Sequence, residues 1–135
     1  MKILFDAMGG DNAPDANITG AVNAIEKINA EIILIGNEKL LNERIKELYG
    51  KENIIELSDR IKIVNAEEEI TMEDSPTKAI KAKKNSSMVV GFNMLKNGEG
   101  DVFLSAGNSG ALLAGATLLV GRIKGIDRPA LAAML

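Results

Sequence analysis

Two short stretches of this chain concentrate the residue types that hold small anions. One is Ala7-Met8-Gly9-Gly10-Asp11-Asn12-Ala13-Pro14-Asp15, the other Ser105-Ala106-Gly107-Asn108-Ser109-Gly110-Ala111. Glycine lets the main chain approach a ligand closely or adopt positive φ. Small hydroxyl and amide side chains add donors, and a helix starting nearby adds unpaired N–H groups and a partial positive charge. Together they suit a cradle for an oxyanion such as phosphate. Each loop alone also suits a plainer role, with Gly9-Gly10 as a tight turn and Asn108 or Ser109 as an N-cap. Two such loops at one edge of a sheet favour a site. A third stretch, Ser75 to Met88, carries Lys78, Lys81, Lys83 and Lys84 and then the pair Ser86-Ser87. Lys81 and Lys83 read as a solvated basic face. In a chain that is otherwise acidic, the same patch would also attract an anionic partner or substrate.

What the chain lacks narrows the chemistry further. It has no Cys and no His among 135 residues, so thiolate nucleophiles, Cys/His zinc sites and Ser-His-Asp triads are excluded within it. No P-loop and no G-x-G-x-x-G turn is present, and Ser109 in Gly-Asn-Ser-Gly misses the nucleophile-elbow pattern. A metal would have to sit on carboxylates and carbonyls, and Glu67, Glu68, Glu69, Glu73 and Asp74 read instead as a solvated loop, so no metal is expected. Sixteen basic against nineteen acidic residues, with aromatics at 3%, leave neither the basic field nor the stacking surface that nucleic acid requires. The opening Met1-Lys2-Ile3-Leu4-Phe5-Asp6 meets an acid after three apolar residues, unlike a signal peptide, and the apolar part of the charge-free run, Ala111 to Val120, is half a membrane span. A soluble, intracellular domain is expected.

The elements that must position these loops are visible as periodicity. Lys2–Asp6, Glu31–Ile35, Arg60–Val64 and Asp101–Ser105 are short, β-branched or apolar runs bounded by turn residues, as in buried parallel strands. Ile18, Ala21, Val22, Ile25 and Ile28 form one helical stripe. Leu41, Ile45 and Leu48 form another, opened by Asn37 and closed by Gly50. Ser75 caps a short helix with Pro76 at its first position, and Ser86 caps a helix running to Lys96 with Gly98 beyond it. Asn108 to Val120 is apolar nearly all round and should be buried on several sides as a core helix, rather than serve as a membrane or dimer contact. Strand–helix alternation of this kind predicts one α/β domain over 1–135, a mostly parallel sheet with helices on both faces. Ligands in such sheets bind at the carboxyl ends of the strands, where both glycine loops fall. The run Arg128 to Leu135 stops while still apolar, which favours truncation of a longer α/β protein over a terminal strand or helix tucked into the sheet.

Asp6 to Pro14, Ser86-Ser87-Met88, Ser105 to Leu112 and Arg128-Pro129-Ala130-Leu131 occur in an order that resembles the bacterial phosphate acyltransferases of phospholipid synthesis, the PlsX family. The resemblance runs over all 135 residues and matches the N-terminal portion of longer family members. It implies a three-layer, Rossmann-like fold similar to that of phosphate acetyltransferase and isopropylmalate dehydrogenase. It also implies transfer of a long-chain acyl group from acyl carrier protein to inorganic phosphate, no cofactor, and a homodimer associated peripherally with the membrane. Related enzymes using acyl-CoA and phosphate, or a non-catalytic phosphate- or carrier-binding module, are the alternatives. Many relatives have Thr at Ser109, and Arg and Asp at Lys81 and Asn85; Lys for Arg keeps the charge but loses the bidentate geometry. On this reading Ser105, Gly107, Asn108, Ser109 and Gly110 bind phosphate or the developing oxyanion, and Gly9, Gly10, Asp11 and Asn12 face them. Asn108 and Asp11 are the catalytic candidates; Lys84, Ser86, Ser87 and Arg128 are further anion ligands.

Overall fold

The computed structural model describes residues 1–132, and the side chains of all of these except 51–58. Four strands, β1 (Lys2–Asp6), β2 (Glu31–Gly36), β3 (Ile61–Asn65) and β4 (Val102–Leu104), form one sheet in the order β3-β2-β1-β4. Every pairing is parallel, with Leu4 opposite Ile33 and Phe103, and Phe5 opposite Leu34 and Leu104. Helix α1 (Asp15–Ile25) and α2 (Glu38–Ser58) follow β1 and β2; α3 (Pro76–Ala82) and α4 (Ser87–Lys96) follow β3. After β4 comes α5 (Ser109–Gly115), continued by a π-helical turn over Ala116–Val120.

Side chains alternate between the faces of each strand, and the helices divide accordingly. Ile18, Ala21, Val22 and Ile25 of α1 and Leu41 and Ile45 of α2 bury one face together with Ile32 and Leu34. Leu4, Ile33 and Ile35 on the other face meet Val90, Met94 and Leu95 of α4. A further cluster, with Ile80, Met88, Val89, Phe92 and Ala111, joins α3, α4 and α5; Phe92 also stacks on Phe103 of β4 with ring centres 4.8 Å apart. The predicted α/β architecture with helices on both faces is therefore the observed one.

Local signals act largely as expected. Asn37 accepts a hydrogen bond from the Leu40 amide (3.0 Å), and Ser86 caps α4 by accepting from the Val89 amide (3.3 Å). Gly50 adopts φ 74°, which breaks the helical path inside α2 where the sequence places its end. Ser75 precedes Pro76 as predicted, but its side chain makes no capping bond. Ile28 lies beyond α1 and is exposed, because the helix ends at Ile25. The helix after Asn108 departs more. Only Ala111 and Gly115 are buried, while Leu118 and Val120 face solvent, because α3 and α4 pack on just one side of it. Residues 128–132 are exposed and form neither helix nor strand; Ala133, Met134 and Leu135, the end of the apolar run, lie outside the described residues.

Candidate functional site

Strand β1 leads into α1 on one face of the sheet, whereas β4, its neighbour, leads into α5 on the other side. The chain thus diverges at the carboxyl ends of β1 and β4, the place where open parallel sheets leave a crevice. Asp6, the last residue of β1, is 2% exposed there. Its Oδ1 accepts from the Ser87 hydroxyl (2.6 Å) and the Met8 amide (3.1 Å), and its Oδ2 from the Ser105 hydroxyl (2.7 Å). The Ser105 oxygen in turn accepts from the Gly107 amide (3.1 Å). From beneath, Asn17 of α1 donates through Nδ2 to the carbonyls of Ala7 (3.0 Å) and Gly9 (2.8 Å), fixing the path of the first loop.

The two glycine loops meet over Asp6. A Cβ on Gly9 would lie 2.6 Å from Asp6 Oδ2 and 2.8 Å from the Gly107 nitrogen, so only glycine permits this approach. Gly10 takes φ 103°, turning the chain toward α1. Beside them opens a cleft of about 260 Å³, lined by Met8, Gly10, Asp11 and Gly107 on one side and by Ile70, Thr71 and Met72 of the loop after β3 on the other. That second wall is braced from two directions. Asn108 donates to the carbonyls of Thr71 (3.1 Å) and Asp74 (3.2 Å), and Lys83 donates to the Glu69 carbonyl (2.9 Å) and to Asp74 Oδ2 (2.6 Å). The Lys83 ammonium, with help from the Thr71 amide, holds the Asp74 carboxyl below the usual carboxylate range.

The residues singled out in the sequence are distributed unevenly around this crevice. Gly10, Asp11 and Gly107 line the adjoining cleft, Gly9 lies against Gly107, and Asp11 and Asn12 are exposed. Ser105 and Ser87 are tied to Asp6. Asn108 is buried and accepts from the Ala111 amide (3.0 Å) as the N-cap of α5, so its oxygen and both Nδ2 hydrogens serve the protein's own main chain. Ser109 is exposed at the start of α5, and Gly110 packs against Pro76. Ser86 is spent as a cap. Lys84 lies elsewhere, with Lys81 on an apolar cleft of about 510 Å³ between α3, α4 and the π-turn. Arg128 stands exposed beyond the π-turn and joins no ion pair among the described residues, while Arg122 is the residue that reaches the Asp127 carbonyl. Among the described residues no group of three or more His, Cys, Asp or Glu could hold a metal ion.

Asp6, Asn17, Thr71 and Lys83 were not singled out as site residues. Asp6 carried one signal, an acid closing an apolar strand directly before a glycine pair, and Asn17 another, an amide next to Ile18 on the apolar stripe of α1. Chemically, the crevice offers main-chain groups of two loops at contact distance, hydroxyls held by a buried carboxyl, and an adjoining cleft edged by two methionines. Small-residue loops and hydroxyls in this arrangement can accommodate a small anion, and these 135 residues themselves supply no thiol or imidazole.

The whole chain, residues 1–135, matches the family model described as fatty acid synthesis protein. Similar curated proteins include the phosphate acyltransferase of Acetivibrio thermocellus, 54% identical over 136 residues that cover 100% of this chain and 38% of the relative. That of Alkaliphilus oremlandii is 53% identical over 98% of this chain and 38% of its own length, and that of Clostridioides difficile 50% over 97% and 37%. The chain therefore spans less than two fifths of the length of the relatives it matches.

Proposed function

The chain belongs to the fatty acid synthesis protein family, and from that premise we propose that it carries part of a phosphate acyltransferase site. The reaction is transfer of a long-chain acyl group from acyl carrier protein to inorganic phosphate, giving an acyl phosphate for phospholipid synthesis. A phosphate oxygen attacks the thioester carbonyl, the C–O bond forms, the C–S bond breaks, and the thiolate leaves on the carrier. A substantial share of phosphate is dianionic near pH 7, so it needs little help from a base, and a thiolate of pKa about 8.5 leaves with little help from an acid. Positioning and oxyanion stabilisation can then carry the step, positioning alone being worth roughly 7–11 kcal/mol in favourable cases.

One observation supports this reading most: the contact between Gly9 and Gly107 at the carboxyl ends of β1 and β4, which brings the main chains of the two glycine loops together. Gly9, Gly10, Gly107, Ser109 and Gly110 are assigned to phosphate and the developing oxyanion. Asp11 orients the hydroxyl of hydrogenphosphate, with Asn12 beside it. Asn108 and Ser105 shape the loops rather than touch the substrate, Ser87 only ties α4 to Asp6, and Lys84 and Arg128 lie outside the phosphate subsite. Acyl carrier protein and phosphate are the partners, the assembly is a homodimer, and the location is cytoplasmic and peripheral to the membrane. Among the described residues no helix is long and apolar enough to cross a membrane.

The test is phosphate-dependent consumption of palmitoyl-acyl carrier protein, with the acyl phosphate trapped by hydroxylamine. Gly9→Ala should abolish turnover, since the added methyl meets main chain at Gly107 and the Asp6 carboxyl, neither of which can yield cheaply. Turnover undiminished in Gly9→Ala would remove the glycine contact from the site.

A further inference from the structure

Asp6 is a buried carboxyl for which the reaction above has no use, and its two oxygens are divided between neighbours. Oδ1 serves Ser87 at the start of α4 and the Met8 amide; Oδ2 serves Ser105, whose own oxygen receives the Gly107 amide. One hydroxyl thus links Asp6 to the second glycine loop and another links it to α4. Gly9 lies directly against Oδ2 and the Gly107 nitrogen, leaving no slack between the loops. We propose that Asp6 is the positioning residue of this site: through Ser105 it fixes the orientation of Gly107, and through Met8 the turn of the first loop, so that both loops present their main chain to one phosphate at a set spacing.

Asp6 touches neither phosphate nor acyl group in this account. A carboxyl beneath an anion site would ordinarily repel the anion. Here three donors face it, which makes it a hub for hydrogen bonds rather than an open charge. The division of the two oxygens separates two effects. Removing the Ser105 hydroxyl frees the Gly107 amide and loosens the second loop. Removing the Ser87 hydroxyl leaves that loop pinned and weakens only the tie to α4.

The proposal rests on the phosphate-binding reading, and the experiment separates the two. Ser105→Ala, Ser105→Thr and Ser87→Ala are compared by hydrogen exchange of the Gly107 amide, by titration with inorganic phosphate, and by thermal melting. Ser105→Ala should speed exchange at Gly107 and weaken phosphate binding about tenfold, the scale of one lost hydrogen bond. Ser105→Thr, which keeps the hydroxyl, should restore both. Ser87→Ala should lower the melting temperature and leave phosphate affinity within about twofold. If Ser105→Ala does not fold, Ser105→Cys, a weaker donor of similar size, reads the same coupling in graded form. Unchanged Gly107 exchange in the Ser105 variants, or an equal loss of phosphate affinity in Ser87→Ala, overturns the positioning role. If the unsubstituted protein binds no phosphate, the functional reading falls, and Gly107 exchange, which Asp6→Asn should speed with Ser105 left in place, alone decides whether Asp6 orients Gly107.

Discussion

The side chain of Asn108 makes one hydrogen bond to its own helix and two to the loop after β3. Replacing it with Ala removes an N-cap worth about 1 kcal/mol. The same change leaves the Thr71 and Asp74 carbonyls without their donor, for roughly another 1 kcal/mol. Asn108→Ala should therefore destabilise the protein by about 2 kcal/mol in urea unfolding. Asn108→Ser, which can still cap, should lose about half of that. Asn108→Asp keeps the cap but turns a carboxylate oxygen toward two carbonyls, and should cost at least as much as Ala. A variant that keeps its stability and loses turnover would place the Asn108 side chain on the substrate instead. Composition was enough to find the glycines and hydroxyls of the crevice, because small polar residues at strand ends are unusual. It was not enough to find Asp6, since an acid closing a strand reads as an exit to solvent. Its partners are 81 and 99 residues away in the chain, and only the closing of the sheet brings them to it.

At the scale of elements, the loop between β3 and α3 owes its position to groups outside the strands. Lys83, at the end of α3, reaches back to Asp74 and the Glu69 carbonyl and so fixes the wall that faces Gly10 and Gly107. The folded pKa of Asp74 lies below the ordinary carboxylate value of about 3.9. Its contribution to stability is therefore fully present above that value and is lost as pH falls through the lower, folded value. Lys83→Met should melt earlier than the unsubstituted protein at neutral pH. The difference should close as the pH is taken below about 4. A gap that stays constant to low pH would show that Lys83 acts through packing of its stem alone. Periodicity could not anticipate this tie, because it treats Lys83 and Asp74 as two solvated charges. The helix from Ser109 onward fails for a related reason. An apolar sequence shows that a helix can be covered on every side, but the number of neighbours present decides how many sides are. Here it widens into a π-turn, with Thr117 donating to the Leu113 carbonyl (2.7 Å), and Leu118 and Val120 remain exposed. The strands, short apolar or β-branched runs bounded by turn residues, are legible to within a residue or two.

The molecule as a whole has two sheet edges, β3 and β4, of unlike character. On β3 the outward positions Lys62 and Asn65 are polar, and Lys62 pairs with Glu31 of the neighbouring strand (3.1 Å). On β4 the alternation puts Phe103 beneath α4, where it stacks on Phe92, and turns Val102 and Leu104 to the opposite face, 41% and 52% exposed. Among the described residues no helix covers that face at β4, so a short edge strand carries two bare aliphatic side chains. Charges, bulges or covering segments ordinarily protect such an edge, and an unprotected one pairs with other chains. The chain of 135 residues should therefore self-associate as its concentration rises, through this edge. Leu104→Lys should reduce the association seen by sedimentation velocity. It should change the folding free energy by no more than about 0.5 kcal/mol, because the side chain it replaces is already half in water. A large loss of stability in Leu104→Lys would mean that Leu104 supports the fold itself. Association that persists unchanged would move the contact to another bare aliphatic surface, such as the π-turn bearing Leu118 and Val120.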